Sequence, residues 1–302
     1  MAAVLETVVA DAQAKAQLSG RQAEEILRSI TIPSCPAILS ALLHEARQDE
    51  VDFLKITRLV ASDVGLAASV LKTANSPFFA LRAKVPNVQQ AIAVLGLKNL
   101  LSIIQTVTLR ASLSPPGVNM ERFWDRSGYT AVACAHIARH TRTADRELAY
   151  TFGLFHDCGI PILMQRFPEY KQTLARANEA GRGMLDIEYA QHATNHAIVG
   201  AMLARNWQLP PQIVLSLTHH HDFELLDESS AAAAASGTTR ALIAIGLLAA
   251  YAVARFLEVR EEKEWVVFGD RAMAYLGIDD RDLEELVVDI REQLADIRAC
   301  KL

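Results

Sequence analysis

Along most of this chain apolar residues return every three or four positions, and alternating runs of β-branched residues are scarce, so the pattern predicts an all-α fold. One segment shows the logic. Ser62 or Asp63 caps a helix in which Val64, Ala67, Ala68, Leu71 and Ala74 form a single stripe, Asn75-Ser76 terminates it through side-chain hydrogen bonds, and Pro77 stops it. Pro86 then suits the first turn of the next helix, Ile92 and Leu95 continue its apolar face, and Gly96 is expected in the left-handed C′ conformation. A new helix over 97–113 is apolar on most sides (Leu100, Leu101, Ile103, Ile104, Val107, Leu109), which predicts burial between other helices. It ends at Ser114-Pro115-Pro116-Gly117.

This Pro-Pro-Gly break divides the chain into two helical lobes, because proline disfavours helix at itself and at the residue before it. The division reads as an N-terminal helical extension (1–23), a first lobe (24–114), a second lobe (115–226), a linker (227–239) and C-terminal helices completing the second lobe (240–302). Within the second lobe, helices are expected near 120–142, 146–166, 168–180, 184–206 and 210–221. The linker is dominated by Ala, Ser and Gly and offers no large side chain to anchor it, as a mobile segment or a frayed helix would. Beyond it come an apolar helix over 240–260 and an acidic amphipathic one over 279–299. The latter has Leu283, Leu286, Val287, Ile290, Leu294 and Ile297 on one face, to dock on its own core or on a second subunit in a homodimer. No internal repeat is evident.

With 302 residues, 51% hydrophobic and 22% charged, the chain has enough apolar content for a real core. Its net charge of −5 gives no bulk attraction for a polyanion, so nucleic acid is not an expected partner. The four cysteines are far apart and form no CxxC pair, which reads as reduced thiols in a cytoplasmic protein. The first 16 residues carry Glu6 and Asp11 and do not look like a signal peptide. The longest uncharged apolar run, Ala241 to Ala254, is bracketed by Arg240 and Arg255 and is shorter than the ~20 residues of a spanning helix, so it reads as a core helix and no membrane is expected. Phosphate-loop, dinucleotide-binding, HExxH and nucleophile-elbow motifs are absent. Arg139, His140, Arg142, Arg146 and Arg166 give the second lobe local positive charge, which reads as a solvated face or as a contact for an anionic nucleotide.

The histidines carry the chemistry. Of nine, six fall between His156 and His221, beside Asp157 and Asp222. His156 and Asp157 lie in an apolar helical stretch where unpaired polar groups are costly to bury. A continuous helix over 184–206 would put His192 and His196 on one face, and His219, His220 and His221 end a helix that starts after Pro210-Pro211. Imidazole nitrogens and a carboxylate suit Zn, Mn or Fe. The alternative is a set of core histidines that only hydrogen-bond between helices.

Seven segments in order resemble the HDOD family, the HD-related output domains of bacterial signalling proteins: Ile32-Pro-Ser-Cys-Pro36, Leu71-Lys-Thr-Ala-Asn-Ser-Pro-Phe-Phe79, Ala91-Ile-Ala-Val-Leu-Gly96, Phe123-Trp124, Gly153-Leu-Phe-His-Asp157, His196-Ala-Ile-Val-Gly200, and Trp207-Gln-Leu-Pro210 leading to His219-His-His-Asp222. They span roughly 24–223. The resemblance implies a two-lobed all-helical fold whose N-terminal lobe packs on a lobe similar to the HD metal-dependent phosphohydrolases. It assigns the metal positions to His156, Asp157, His196, His220 and His221. It also exposes departures: Arg126 stands where a leading histidine is expected, and arginine does not ligate metals. The stretch Ile243 to Ala254 has no closing Asp, and Ile160 replaces a frequent lysine.

Two dications within about 4 Å need bridging carboxylates or hydroxide to offset their repulsion, and Asp157 alone is insufficient. One ion held by His156, Asp157, His196 and a later histidine is chemically reasonable. The expectation is a cytoplasmic bacterial signalling module with no catalytic residues, at most one divalent transition metal ion, and a protein partner or nucleotide-type small ligand. The rival reading is a phosphohydrolase or phosphodiesterase acting on nucleotides or cyclic dinucleotides.

Overall fold

A computed structural model describes residues 24–75, 84–179, 183–227, 236–259 and 263–299. Among these every regular element is helical, as the periodicity predicts: α1 (24–29), α2 (Ala37–Ala46), α3 (Phe53–Ala61), α4 (Val64–Ala74), α5 (Val88–Leu113), α6 (Glu121–Thr141), α7 (Arg146–Phe155), α8 (Gly159–Arg166), α9 (Tyr170–Glu179), α10 (Met184–His192), α11 (His196–Asn206), α12 (Pro211–Thr218), a 3₁₀ turn (Phe223–Leu226), α13 (Gly237–Leu257), α14 (Lys263–Leu276) and α15 (Asp280–Ala299).

In the first lobe, Asp63 caps α4 by accepting from the Leu66 amide at 2.9 Å. The buried stripe of α4 is Leu66, Val70 and Ala74; Ala74 is shared with the expected stripe, whereas Ala67 and Leu71 are half-buried, Ala68 is exposed and Val64 is 84% exposed. Val64 is the first residue of its helix and lies outside the covered turns. Asn75 closes α4, its amide donating to the Leu71 carbonyl at 3.0 Å. The next helix begins at Val88 with Asn87 as its cap, so Pro86 falls just outside the first turn. Gly96 breaks α5 as expected and has positive φ, but with ψ of 166° it is extended rather than left-handed helical. No atom would meet a β-carbon there, so the backbone angle alone calls for glycine.

In the second lobe, α6 and α7 form a closely packed pair, and α13 lies across α6, α7 and α12. Gly153 permits the first approach: a β-carbon would stand 2.8 Å from both the Thr130 carbonyl and Cys134 Sγ. The helix expected at 240–260 starts earlier, at Gly237, with Ser236 as its cap. It and α5 are long and apolar enough to cross a membrane by length and composition, but the α13 window is 67% buried within the fold and α5 is interrupted at Gly96. The acidic C-terminal helix α15 docks within the chain, on α6 and α13, through Leu286, Ile290 and Leu294. Residues 1–23, and 228–235 of the expected linker, lie outside the described residues.

Directional bonds tie segments on either side of the Pro115-Pro116-Gly117 break. Trp207 Nε1 donates to the Pro33 carbonyl at 3.0 Å, and Arg47 donates to the Gln208 carbonyl at 3.1 Å. Trp207 is buried against Phe155, the last residue of α7 and the neighbour of His156.

Candidate metal centre

Two of the expected helices are broken, and the breaks build the centre. The stretch 146–166 is interrupted at His156-Asp157-Cys158, a turn between α7 and α8 in which the Cys158 amide donates to the Phe155 carbonyl and the Ile160 amide to the Asp157 carbonyl, each at 2.9 Å. Gly159 lets α8 start against the beginning of α11: a β-carbon there would overlap the His196 carbonyl and approach the Gly200 amide to 2.9 Å. Asp157 is thereby brought to His196.

The second break falls at Ala193, which is left-handed (φ 50°), followed by Asn195, which caps α11 by accepting from the Ile198 amide at 2.9 Å. His192 therefore ends one helix while His196 begins another, and the two do not share a face. His192 packs between Phe167 and Tyr170 and bonds Thr173 at 2.8 Å. His219 is half-exposed beside Asp222.

The other five expected residues converge. His196 Nε2 lies 3.2 Å from His220 Nε2 and 3.1 Å from His221 Nε2. Asp157 Oδ1 lies 3.6 Å from His196 Nε2 and 4.0 Å from His220 Nε2, and its Oδ2 is 3.0 Å from His156 Nε2. His156 is thus the outermost, reaching the cluster through Asp157.

Each ring has its other nitrogen fixed by an acceptor. His156 Nδ1 is 2.7 Å from the Gly153 carbonyl and His220 Nδ1 is 2.7 Å from the Leu217 carbonyl. His196 Nδ1 is 2.7 Å from Glu188 Oε2, and His221 Nδ1 is 2.6 Å from Glu264 Oε1. Carbonyl and carboxylate oxygens only accept, so each Nδ1 carries a hydrogen and each ring turns its Nε2 inward, where the neutral form offers a lone pair. Lone pairs at 3.1–3.2 Å repel unless a cation lies between them. A divalent ion with metal–nitrogen bonds of about 2.0–2.1 Å fits ligand atoms at this spacing, and Nδ1 bonded to carbonyl or carboxylate is the outer arrangement of metal-bound histidines. His196, His220 and His221 together form a group able to hold a metal ion.

Charge agrees with this. Burial raises the Asp157 pKa, but His156 foremost, then His196 and His220, outweigh it and hold the carboxyl well below its usual range. Burial lowers the His196 pKa, yet Glu188 first, with Asp157 and Glu264, lifts it above the ordinary imidazole value. His220 is pushed well below that value by burial and by the neighbouring His221 and His196 rings.

Glu188 and Glu264 were not legible from spacing. Glu188 is fully buried on α10 and receives three donors: the Tyr170 hydroxyl, the His196 ring and the His196 amide at 3.2 Å. The rest of α10 is exposed or half-buried apart from His192, so nothing in the sequence sets Glu188 apart from Asp186 on the same helix. Glu264 lies 43 residues beyond its partner histidine. Arg126 is half-buried on α6 and Ile160 is buried in α8.

The HDOD domain model matches residues 32–223. An uncharacterized protein of Treponema pallidum (strain Nichols) is 26% identical over 199 residues, 63% of this chain and 38% of that protein. Cyclic di-GMP phosphodiesterase CdgJ of Vibrio cholerae serotype O1 is 27% identical over 175 residues, 54% of this chain and 40% of CdgJ. The match thus spans about two fifths of the length of these curated relatives. The crystal structure of an HDOD domain protein with unknown function from Geobacter sulfurreducens superposes with a TM-score of 0.68 at 22% identity, covering 92% of this chain and 98% of that one. A helical second lobe built around a His-Asp turn, matched over 192 residues (32 to 223) by one family model, shows that the chain belongs to the HDOD family of signalling-related, HD-like modules.

Proposed function

We propose that this chain is a non-hydrolytic cytoplasmic signalling module that works by binding a protein partner or a nucleotide-type small ligand, with an HD-like centre that holds one divalent transition ion, Zn, Mn or Fe, in a structural role. His196, His220, His221 and Asp157 would hold the ion, with His156 bonded to the far oxygen of Asp157. One ion there supplies a fixed positive charge that satisfies the converging lone pairs and locks α11, the segment after α12 and the α7–α8 turn together.

The observation that carries the reading is the placement of carboxylates. Among the described residues Asp157 is the one carboxylate paired with the inward Nε2 atoms, while Glu188 and Glu264 are both engaged with ring Nδ1 atoms on the outside of the cluster. A dinuclear hydrolytic site needs bridging anions between its two ions, and the two further carboxylates are already committed to orienting histidines. Elemental analysis of the purified protein should find at most one ion per chain, and phosphodiester substrates should not turn over in added Mn or Fe.

The name of the Vibrio relative favours a second reading, a metal-dependent phosphodiesterase acting on cyclic dinucleotides. Hydrolysis of cyclic di-GMP by this chain, abolished in Asp157→Ala, would establish that reading and displace the first.

A further inference from the structure

We propose that Glu264 is a positioning residue that makes α14 part of the metal centre, so that loading the centre and docking α14 are one linked equilibrium. The proposal rests on the mononuclear reading above and extends it to a helix beyond the segment matched by the family model.

His221 is the joint. Its Nε2 lies 3.1 Å from His196 Nε2 at the start of α11, and its Nδ1 lies 2.6 Å from Glu264 in the first turn of α14. A bound ion that takes the Nε2 lone pair polarises the ring and strengthens the Nδ1–H bond to Glu264. Conversely, Glu264 fixes the ring plane and the Nδ1–H tautomer, which holds Nε2 toward the ion. A second route runs beside the first. Two residues after His221, Phe223 packs on Phe268 of α14 with ring centroids 5.1 Å apart, and Arg271 of α14 pairs with Glu224 at 3.0 Å and Asp227 at 3.3 Å. On its other side α14 is seated on α13, with Trp265 stacked on Tyr251 at 4.3 Å. The helix therefore rests partly on the apolar core and partly on the segment that carries two of the three clustered histidines.

Coupling of this kind is reciprocal: whatever factor α14 docking adds to ion affinity, ion binding returns to α14 docking. Losing an outer carboxylate of a metal-bound histidine lowers affinity by roughly 10- to 100-fold, so α14 docking should tighten by the same factor on loading. That gives the centre a readout on the surface of the molecule without any hydrolysis.

The test uses the full chain, stripped with a chelator and titrated with zinc, with amide hydrogen exchange followed over Lys263–Leu276. Zinc should slow exchange in α14 of the wild type. Glu264→Ala should weaken zinc binding roughly 10- to 100-fold and abolish the slowing, whereas Glu264→Gln, whose amide oxygen still accepts from Nδ1–H, should retain most of both. Zinc binding by the wild type with no change in α14 exchange, or wild-type affinity in Glu264→Ala, overturns the coupling alone. A wild type that binds no zinc overturns the metal reading and the coupling together. The wild-type exchange measurement decides even if a variant fails to fold.

Discussion

His196 and His221 bring their Nε2 atoms within 3.1 Å of each other while a different carboxylate holds the Nδ1 of each ring, Glu188 for the first and Glu264 for the second. A hydrogen-bonded core pair would point one N–H at one lone pair. Here both N–H groups point outward, so the shared space between the rings is built for a cation. The outer carboxylates, Glu188 foremost, lift the His196 pKa against its burial, while burial and the neighbouring His221 and His196 rings push that of His220 down.

Glu188 should prove one of the most sensitive positions in the second lobe. It is fully buried, and Glu188→Ala leaves the Tyr170 hydroxyl, the His196 ring N–H and the His196 amide without an acceptor. Breaking a buried charge-assisted network by removing one partner costs about 3–5 kcal/mol. Glu188→Gln keeps an acceptor and should cost markedly less. Urea unfolding of the two variants checks the order, and equal losses would show that the carboxylate is not the organising group.

Two glycines should respond in opposite directions to the same added methyl group. Gly159→Ala drives a β-carbon into the His196 carbonyl, backbone that cannot move without separating α8 from α11 and Asp157 from the cluster. It should destabilise the fold and weaken zinc binding together. Gly128→Ala, within α6 and with nothing within 4 Å of the new carbon, should stabilise by about 0.5–1 kcal/mol through the helix preference of alanine. Thermal unfolding of both variants, with zinc titration of the first, measures this.

The all-helical fold was readable because the core stripes are long and regular: Leu286, Ile290 and Leu294 of α15 and the apolar α13 repeat at helical spacing over many turns. The convergence of His156, Asp157, His196, His220 and His221 was readable only because motif order placed these residues against a known pattern. Spacing alone misled at His192, where four residues of separation looked like one helix face. The left-handed Ala193 and the Asn195 cap turn the chain there, and a single alanine carries no sign that it will leave the helical region. Glu188 and Glu264 were hidden for another reason. Their roles arise from tertiary proximity across 8 and 43 residues, which periodicity does not encode.

The joint between α6 and α15 should respond to pH through His136. Its ring is buried, with Nδ1 at 3.1 Å from both Gln293 Oε1 and the Arg139 guanidinium, and Nε2 at 3.7 Å from Asp289. Burial foremost, and then Arg139, depress its pKa below 6.5, against the pull of Gln293 and Asp289. The unfolded chain therefore binds the proton more readily than the folded one, so His136 costs nothing well above pH 6.5 and destabilises the fold as pH drops from there toward the depressed value. The difference in melting temperature between wild type and His136→Gln should shift in favour of the variant on going from pH 7.5 to 5.5. The comparison between the two proteins cancels the contributions of His196 and His220. A pH-independent difference would remove His136 as the titrating group.

Metal loading itself should be visible as stability. An ion bound only by the folded chain stabilises it in proportion to RT ln(1 + [L]/Kd), about 2.7 kcal/mol at a hundredfold excess over Kd, which for a chain of this size raises the melting temperature by roughly 5 °C. Zinc should produce that rise in chelator-treated wild type, and a chelator should reverse it. His220→Ala, which removes a ring whose Nε2 lies 3.2 Å from that of His196, should abolish the rise. His192→Ala is the discriminating control: His192 is as buried as His220 but bonds Thr173 and packs on Phe167, away from the cluster. It should lower the starting melting temperature and leave the zinc-induced rise intact. Loss of the rise in His192→Ala with retention in His220→Ala would mean that the ion sits on the α10 side of the break at Ala193, and the centre would have to be rebuilt around that helix.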